Sequence, residues 1–431
     1  MCRFARICAR TGRFVAIIAG RRRDAFRLIR AHERGGRKNL NAIAEFCARL
    51  RLAVLLFVLA AAGCANPNAQ MLIGTEVVSS TSADIAGEHR IFVATTRQRS
   101  SEAREVFDGE RALTLSYAVT DVTVPAVHKP GRLERPKTGK RDPSRYFTAE
   151  SVAGYDEAAG FENALSREIA ARGGRALVFV HGYNTRFDDA VYRMTQIVHD
   201  AGYAGAPILF SWASRGSTVD YIYDRDSATV ARDGLEQTLR AVRRAGATRI
   251  DIIAHSMGNW ATLEALRQLA ISGDRDIGGR LGDVILASPD VDVDVFKSQM
   301  KRYGKPEKPF FVMLSRNDRA LNLSGWIAGN RPRLGEYADA DDIASYGVIV
   351  VNLTDVESGD DRLNHTKFAD NPVLVKLLGE RLQAGDTFAR RNTDFAGHVE
   401  NLAQGLGQTA LSAASIVITT PAGVLSTVGV E

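Results

Sequence analysis

An α/β fold, with a mostly parallel sheet covered by helices on both faces, is what this 431-residue sequence predicts. Three observations lead there. Short continuous apolar runs recur through the middle of the chain, each the right length for a strand buried on both sides. Segments with apolar residues at helical spacing separate them, which is the pattern of strands joined by crossover helices. Several runs also end in residues able to do chemistry, and function in such sheets gathers beyond the strands' carboxyl ends.

In chain order, His89–Arg97 reads as the first core strand, and Leu113–Val124 alternates enough to be a second, giving an antiparallel edge. Residues 128–145, with His128, Lys129, Lys137, Lys140 and Arg141, read as a basic, solvated loop that could face a membrane. Arg175–Val180 is a buried strand ending in His181-Gly182-Tyr183-Asn184, and a helical stretch from Asp188 to Ala201 separates it from the strand Pro207–Trp212. Ser214–Asp233, with Tyr221 and Tyr223, is the best candidate for a small cap. The strand Arg249–Ile253 leads into Ala254-His255-Ser256-Met257-Gly258, followed by a helix with apolar residues at 260, 263, 266 and 269. Asp283–Ser288 leads into Pro289-Asp290, Pro309–Leu314 into Ser315-Arg316-Asn317-Asp318, and Val348–Leu353 into a loop carrying His365. Residues 373–384 read as a final helix. From Gly385 onward the charged and then small, apolar composition, interrupted by Pro421, reads as a disordered tail, with a membrane-surface or partner-binding tail as the alternative.

Strand, small-x-Ser-x-Gly, helix is the setting of a nucleophile elbow, a turn so tight that the residues two before and two after the serine must be small. Ala254 stands where glycine is usual, one methyl larger. The plain alternative for Ser256 is a helix N-cap. With that context, residues from about Ile91 to Gly385 resemble an α/β-hydrolase, and most closely the poorly characterised bacterial esterase/lipase-like proteins that share the His-Gly-Tyr-Asn loop, the Ala-His-Ser-Met-Gly elbow and the Ser-Arg-Asn-Asp acid loop. The resemblance implies an α/β-hydrolase fold with a minimal cap and a triad in the chain order Ser256, Asp318, His365. In it Ser256 is the nucleophile, His365 the general base and Asp318 the acid that fixes the imidazole tautomer. By analogy the backbone N–H groups of Met257 and Tyr183 form the oxyanion hole. Asp290 is the competitor for the acid's role, while Asp292 and Asp294 read as solvated or helix-capping. In similar proteins histidines placed like His181 and His255 shape the loop and elbow rather than transfer protons.

Other motifs fall away. Asp290-x-Asp292-x-Asp294 imitates the start of a calcium loop, but Val295 stands where glycine is needed and Lys301 where glutamate is. Gly405–Ala410 matches a dinucleotide fingerprint by letter without a preceding strand. With no HExxH, paired CxxC or Walker loop, no cofactor and no metal are expected.

The amino end has a separate character. Arg49-Leu50-Arg51 precedes the apolar run Leu52–Gly63 and Cys64, the layout of a basic region, a hydrophobic region and a small-residue site ending in cysteine. It resembles a bacterial lipoprotein signal, which implies lipidation of Cys64 and a place in the bacterial cell envelope, facing the periplasm or exterior; a plain secretory signal cleaved nearby and a short transmembrane anchor are the alternatives. Ala61 departs from the leucine that such signals prefer. Residues 1–64 carry 14 basic and 3 acidic side chains, so the chain's net +6 divides into +11 there and −5 in residues 65–431. The basicity belongs to the leader, and nucleic-acid binding loses its electrostatic argument. A leader this long before a signal predicts a translation start downstream at a non-AUG codon, since no methionine occurs between Met1 and Met71.

The expected organisation is therefore a leader and signal over 1–64, a tether over 65–88, the hydrolase domain over 89–385 and a tail over 386–431. The expected activity is cleavage of carboxylic esters, from small molecules or lipids, through an acyl-enzyme, with the membrane as partner through Cys64. Acyl transfer to another alcohol, and a non-catalytic scaffold on the same fold, stay open at this point, as do the oligomeric state and the acyl and alcohol groups.

Overall fold

The computed structural model describes residues 71–136, 138–357, 363–384, 416–421 and 423–427. An 11-stranded sheet dominates it, in the order β13-β12-β11-β10-β9-β8-β6-β7-β2-β3-β5. The strands are β1 Glu76–Val77, β2 Ile85–Arg99, β3 Phe107–Pro125, β4 Lys140–Arg141, β5 Thr148–Tyr155, β6 Arg175–Val180, β7 Ala206–Ser211, β8 Arg249–His255, β9 Leu281–Ala287, β10 Phe311–Leu314, β11 Ile349–Asn352, β12 Val417–Thr420 and β13 Gly423–Thr427. The seven strands from β2 to β11 in that order run parallel, and β3, β5, β12 and β13 add antiparallel edges.

Side-chain alternation explains how these strands carry continuous apolar runs. Val178, Val180, Ile208, Phe210, Ile250 and Ile252 pack into one core. Their neighbours Leu177, Phe179, Leu209 and Ile253 pack into another across the sheet. Helices cover both cores, among them Phe187–Asp200, Arg232–Arg244 and Gly258–Ile271, the last two with a glycine each, Gly234 and Gly258, where they meet the sheet. β6 lies between β7 and β8, so the loop after β6 and the turn after β8 open side by side at the carboxyl edge, the position where such sheets bind ligands.

Three expectations change. The stretch expected to be a tether over residues 65–88 packs from Met71 onward. Leu72 is fully buried, Tyr192 donates its hydroxyl to the Leu72 carbonyl (3.0 Å), and β1 pairs with β4; residues 65–70 lie outside the described part. The basic loop over 128–145 keeps Lys129 and Lys140 exposed but is packed at His128, Arg135 and Arg141, the first two because the Phe187–Asp200 helix supplies carboxylates to them. Arg135 pairs with Asp188 and Asp189, and His128 sits 2.7 Å from both Glu134 and Asp200. In the tail, expected to be disordered, β12 and β13 form a hairpin on the edge strand β11, with Pro421 in the turn where its missing N–H is harmless. The motif at 405–410 and Cys64 lie outside the described residues.

Candidate active site

Ser256 sits between β8 and the Gly258–Ile271 helix with φ of 53°, the left-handed region that a non-glycine residue enters at a cost of about 1–3 kcal/mol. Four hydrogen bonds hold it there. Its N–H donates to the Ala287 carbonyl (3.0 Å), and its own carbonyl accepts from the Asn259 N–H (3.2 Å), Asn259 Nδ2 (2.9 Å) and the Asp290 N–H (3.1 Å). The small residues around it are explained by contact. A Cβ on Gly258 would lie 2.7 Å from the Val180 carbonyl oxygen and closer still to that of His181, while Ala254 is fully buried and its methyl is accommodated.

Asp318 caps the Arg319–Ile327 helix. One carboxylate oxygen accepts the amides of Ala320 and Leu321, both at 3.0 Å, which leaves the other to accept from His365 Nδ1 at 2.7 Å. The carboxylate is wholly buried, and the imidazole is 14% exposed. Because Nδ1 donates to a carboxylate, Nε2 is the nitrogen left to act as a base. His255, next to Ser256, donates from Nε2 to the His365 carbonyl (3.2 Å), and the two rings lie 4.8 Å apart. Burial and then the neighbouring His365 hold the His255 imidazole well below its ordinary pKa, so it stays neutral. His365 is thus fixed on one side by Asp318 and on the other by the residue preceding Ser256.

Asp290 is committed elsewhere. Its carboxylate accepts from Tyr221 (3.0 Å), Arg333 (3.1 Å) and Ser324, in a buried cluster where Arg333 also reaches Ser324 and Tyr221. Asp292 caps the Val293–Tyr303 helix.

The loop after β6 faces the elbow. Gly182 lies so close that an added Cβ would stand 2.8 Å from the Ser256 Cβ. The amide of Tyr183 follows it, and Met257 stands at the helix N-terminus, where N–H groups have no intrahelical acceptor. The loop's shape depends on buried polar side chains. His181 donates from Nδ1 to the Gly182 carbonyl (2.9 Å), and its Nε2 faces the Trp212 N–H (3.2 Å) and Ser211 Oγ (3.1 Å). Burial and the nearby Arg97 charge lower its pKa to about 3, so this ring is a neutral strut. Arg97, fully enclosed, donates to Thr185, Asp108 and Ser214 carbonyls and to Ser211 Oγ. Asp224 accepts from the Asn184 N–H (3.1 Å) and Ser214 Oγ (2.5 Å). Tyr183 donates its hydroxyl to the Thr218 carbonyl, and burial followed by Asp224 raises its pKa to about 12.

Sequence reasoning missed Asn259, Arg97 and Lys367. Lys367, buried two residues after His365, donates to Ser315 Oγ, Asn317 Oδ1 and the carbonyls of Leu353 and Thr354, tying together the loops after β10 and β11. The available signal was position alone: each lies within three residues of a site residue or at a strand's carboxyl end. Among the described residues no cluster of three or more His, Cys, Asp or Glu is placed to hold a metal ion.

A family model described as an alpha/beta hydrolase of unknown function (DUF900) matches residues 157–381, just over half of the chain. Among solved structures, an esterase from Pyrobaculum calidifontis is 12% identical over 70% of this chain and 86% of that one, with a TM-score of 0.31. A thermostable esterase from Pseudomonas putida is 13% identical over 78% and 85%, with a TM-score of 0.30. Lipase B from Aspergillus fumigatus is 13% identical over 38% of this chain and 43% of the lipase, less than half its length, with a TM-score of 0.25. A comparison with curated proteins gives no match. The family match and the sheet topology carry the fold assignment.

Proposed function

The chain belongs to this α/β-hydrolase family of unknown function, and on that premise we propose that it is an envelope-anchored serine hydrolase that cleaves carboxylic esters through an acyl-enzyme. The observation that carries the reading is the His365–Asp318 pair, a 2.7 Å hydrogen bond to a fully buried carboxylate, fastened through His255 to the strained serine turn. Ser256 Oγ attacks the ester carbonyl as its proton passes to His365 Nε2. Asp318 stays ionised and stabilises the imidazolium. The N–H groups of Met257 and Tyr183 receive the developing oxyanion, where losing one donor raises the barrier by about 3–4 kcal/mol. The tetrahedral adduct collapses, the alcohol leaves with the proton from His365, and water activated by the same imidazole releases the acid.

Fluorophosphonate labelling tests it, because the reagent reacts with an activated serine. Labelling of the wild type that vanishes in Ser256→Ala and His365→Ala is expected. Folded protein that takes no label would instead favour a scaffold on the hydrolase fold. Anchoring through Cys64 is tested apart from catalysis: Cys64→Ser should leave the membrane fraction, and unchanged fractionation would defeat that part. No helix among the described residues is long and apolar enough to cross a membrane.

A further inference from the structure

The exposed apolar side chains are unevenly placed. Of the eleven large hydrophobic residues exposed among the described residues, six stand on the three segments that frame the site. Val219 (87% exposed) and Ile222 flank Tyr221, beside Thr218, whose carbonyl holds the Tyr183 hydroxyl. Leu323, Trp326 (69% exposed) and Ile327 form the outer face of the helix that Asp318 caps, while Leu321, Ser324 and Gly325 fill its inner face. Leu363 precedes His365 by two residues, and its carbonyl accepts the Arg319 N–H (2.9 Å) at that helix's start. Exposed arginines at 316 and 319 stand at the start of the same helix, and Arg331, beyond its end, is exposed 3.8 Å from Asp294. An apolar patch with an exposed indole and a cationic margin suits the boundary of an anionic bilayer.

The path of the chain gives a second, independent reason. Ile73 donates its N–H to the Arg104 carbonyl (2.9 Å) in the connection between β2 and β3, and neighbouring Glu105 pairs with Arg186 (2.9 Å), directly after the loop that carries Tyr183. β2 runs parallel to β7, so that connection stands at the same carboxyl edge as Ser256. The described chain therefore enters the domain on the site's side of the sheet. Cys64 precedes Met71 by seven residues, which span at most about 25 Å. A domain of this size is roughly 50 Å across, so a lipid on Cys64 cannot readily serve an orientation in which the opposite edge meets the bilayer.

We propose that residues 219, 222, 323, 326, 327 and 363 form a bilayer-docking rim around the site mouth, so that the enzyme takes ester lipids directly from an anionic membrane surface. The inference rests on the hydrolase reading for its substrate and on Cys64 lipidation for its tether. The docking itself can be read without either.

The test uses the full-length protein in vesicles of phosphatidylglycerol and phosphatidylcholine. Bromine on the upper acyl carbons of the lipid should quench tryptophan emission in the wild type and much less in Trp326→Phe, since of the two other tryptophans Trp212 is fully buried and Trp260 is half-buried against the core. Equal quenching in both, or none, overturns the rim, and an unquenched Trp326 would turn attention to a protein partner. In the second arm, Leu323→Ser/Trp326→Ser/Ile327→Ser should turn over a diacylglycerol in those vesicles about tenfold more slowly, because the apolar side chains that hold the mouth to the bilayer are gone. Hydrolysis of a soluble short-chain ester should stay at the wild-type rate. Equal loss on both esters overturns the lipid-substrate claim. A wild type that cleaves neither ester overturns the hydrolase reading, and quenching of Trp326 then still decides the rim.

Discussion

Asp318→Asn isolates what the buried carboxylate does, because the substitution keeps its structural task and removes its electrostatic one. In the wild type one oxygen caps the Arg319–Ile327 helix through the Ala320 and Leu321 amides, and the other accepts from His365 Nδ1. Asparagine caps helices about as well as aspartate, so its carbonyl oxygen can keep the two amides. The amide NH2 must then face His365, where it can only donate. The imidazole has to present Nδ1 as an acceptor, which moves its proton to Nε2, the atom that must receive the serine proton. Loss of the correct tautomer together with the stabilising charge corresponds to a fall of about 10⁴-fold in kcat, or roughly 5.5 kcal/mol of barrier.

The assay is kcat and KM on a soluble short-chain ester with thermal unfolding in parallel. The expected outcome is a rate lower by about three to four decades, KM within a few-fold and a melting temperature close to wild type. Asp290→Asn is the control. Asp290 holds the Tyr221–Arg333–Ser324 cluster, so its loss should lower stability without the tautomer's signature. A wild-type rate in Asp318→Asn, or a larger kinetic loss in Asp290→Asn at intact stability, would refute the assignment.

Two further outcomes follow from packing and charge. Gly258→Ala should abolish labelling of Ser256 and lower the yield of folded protein, since its methyl meets the Val180 and His181 carbonyl oxygens, whereas Ala254→Gly should retain activity; a fully active Gly258→Ala would show that the turn is looser than described. Stability should peak near neutral pH. His128 lies buried, which alone would lower its pKa, but hydrogen bonds to Asp200 and Glu134 raise it to about 9. That contribution is complete below about 6.5, the ordinary histidine value, and is lost as pH rises through 9. Burial lowers His181 to about 3 and His89 to about 4, so the unfolded chain takes up protons that the folded one refuses, and stability is lost as pH falls below about 6.5. Denaturant midpoints across pH 4 to 10 should show both limbs, and His128→Gln should flatten only the alkaline one.

Much of the candidate site was legible because the elbow expected at Ser256 requires a local pattern. The turn needs a strand before it, small residues at 254 and 258 and a helix after it, and each condition is written within about twenty consecutive letters. Asp318 and His365 became candidates by a second local rule, that each follows an apolar strand at its carboxyl end, and the fold brings the two side chains within 2.7 Å. What escaped depends on residues far apart. Arg97 ends a strand as any solvated arginine would, and only the meeting of loops at 108, 185 and 211–214 encloses it. The basic loop over 128–145 looked solvated because its carboxylate partners come from another segment, at 188, 189 and 200. The strands at 417–427 escaped because an added edge strand needs only a free neighbour and β-compatible residues, with no chemistry to mark it.

The missed residues also bear on how the site works. A left-handed serine is unfavourable alone, so the turn persists only if its surroundings over-determine it. The Ser256 carbonyl is held by Asn259 and by the Asp290 amide, and the Asp290 carboxylate is itself locked by Arg333. The opposing loop is held by Arg97 through Thr185 and by His181 through Gly182; burial keeps His181 neutral, while Arg97 stays cationic although burial lowers its pKa to about 10. Each wall of the mouth thus has its own buried polar frame, and the two meet where Gly182 faces Ser256 and His255 and where Gly258 faces the His181 carbonyl. For the oxyanion donors proposed at Met257 and Tyr183, being aimed in advance means that no reorganisation is needed when charge develops, the condition under which such donors lower a barrier most.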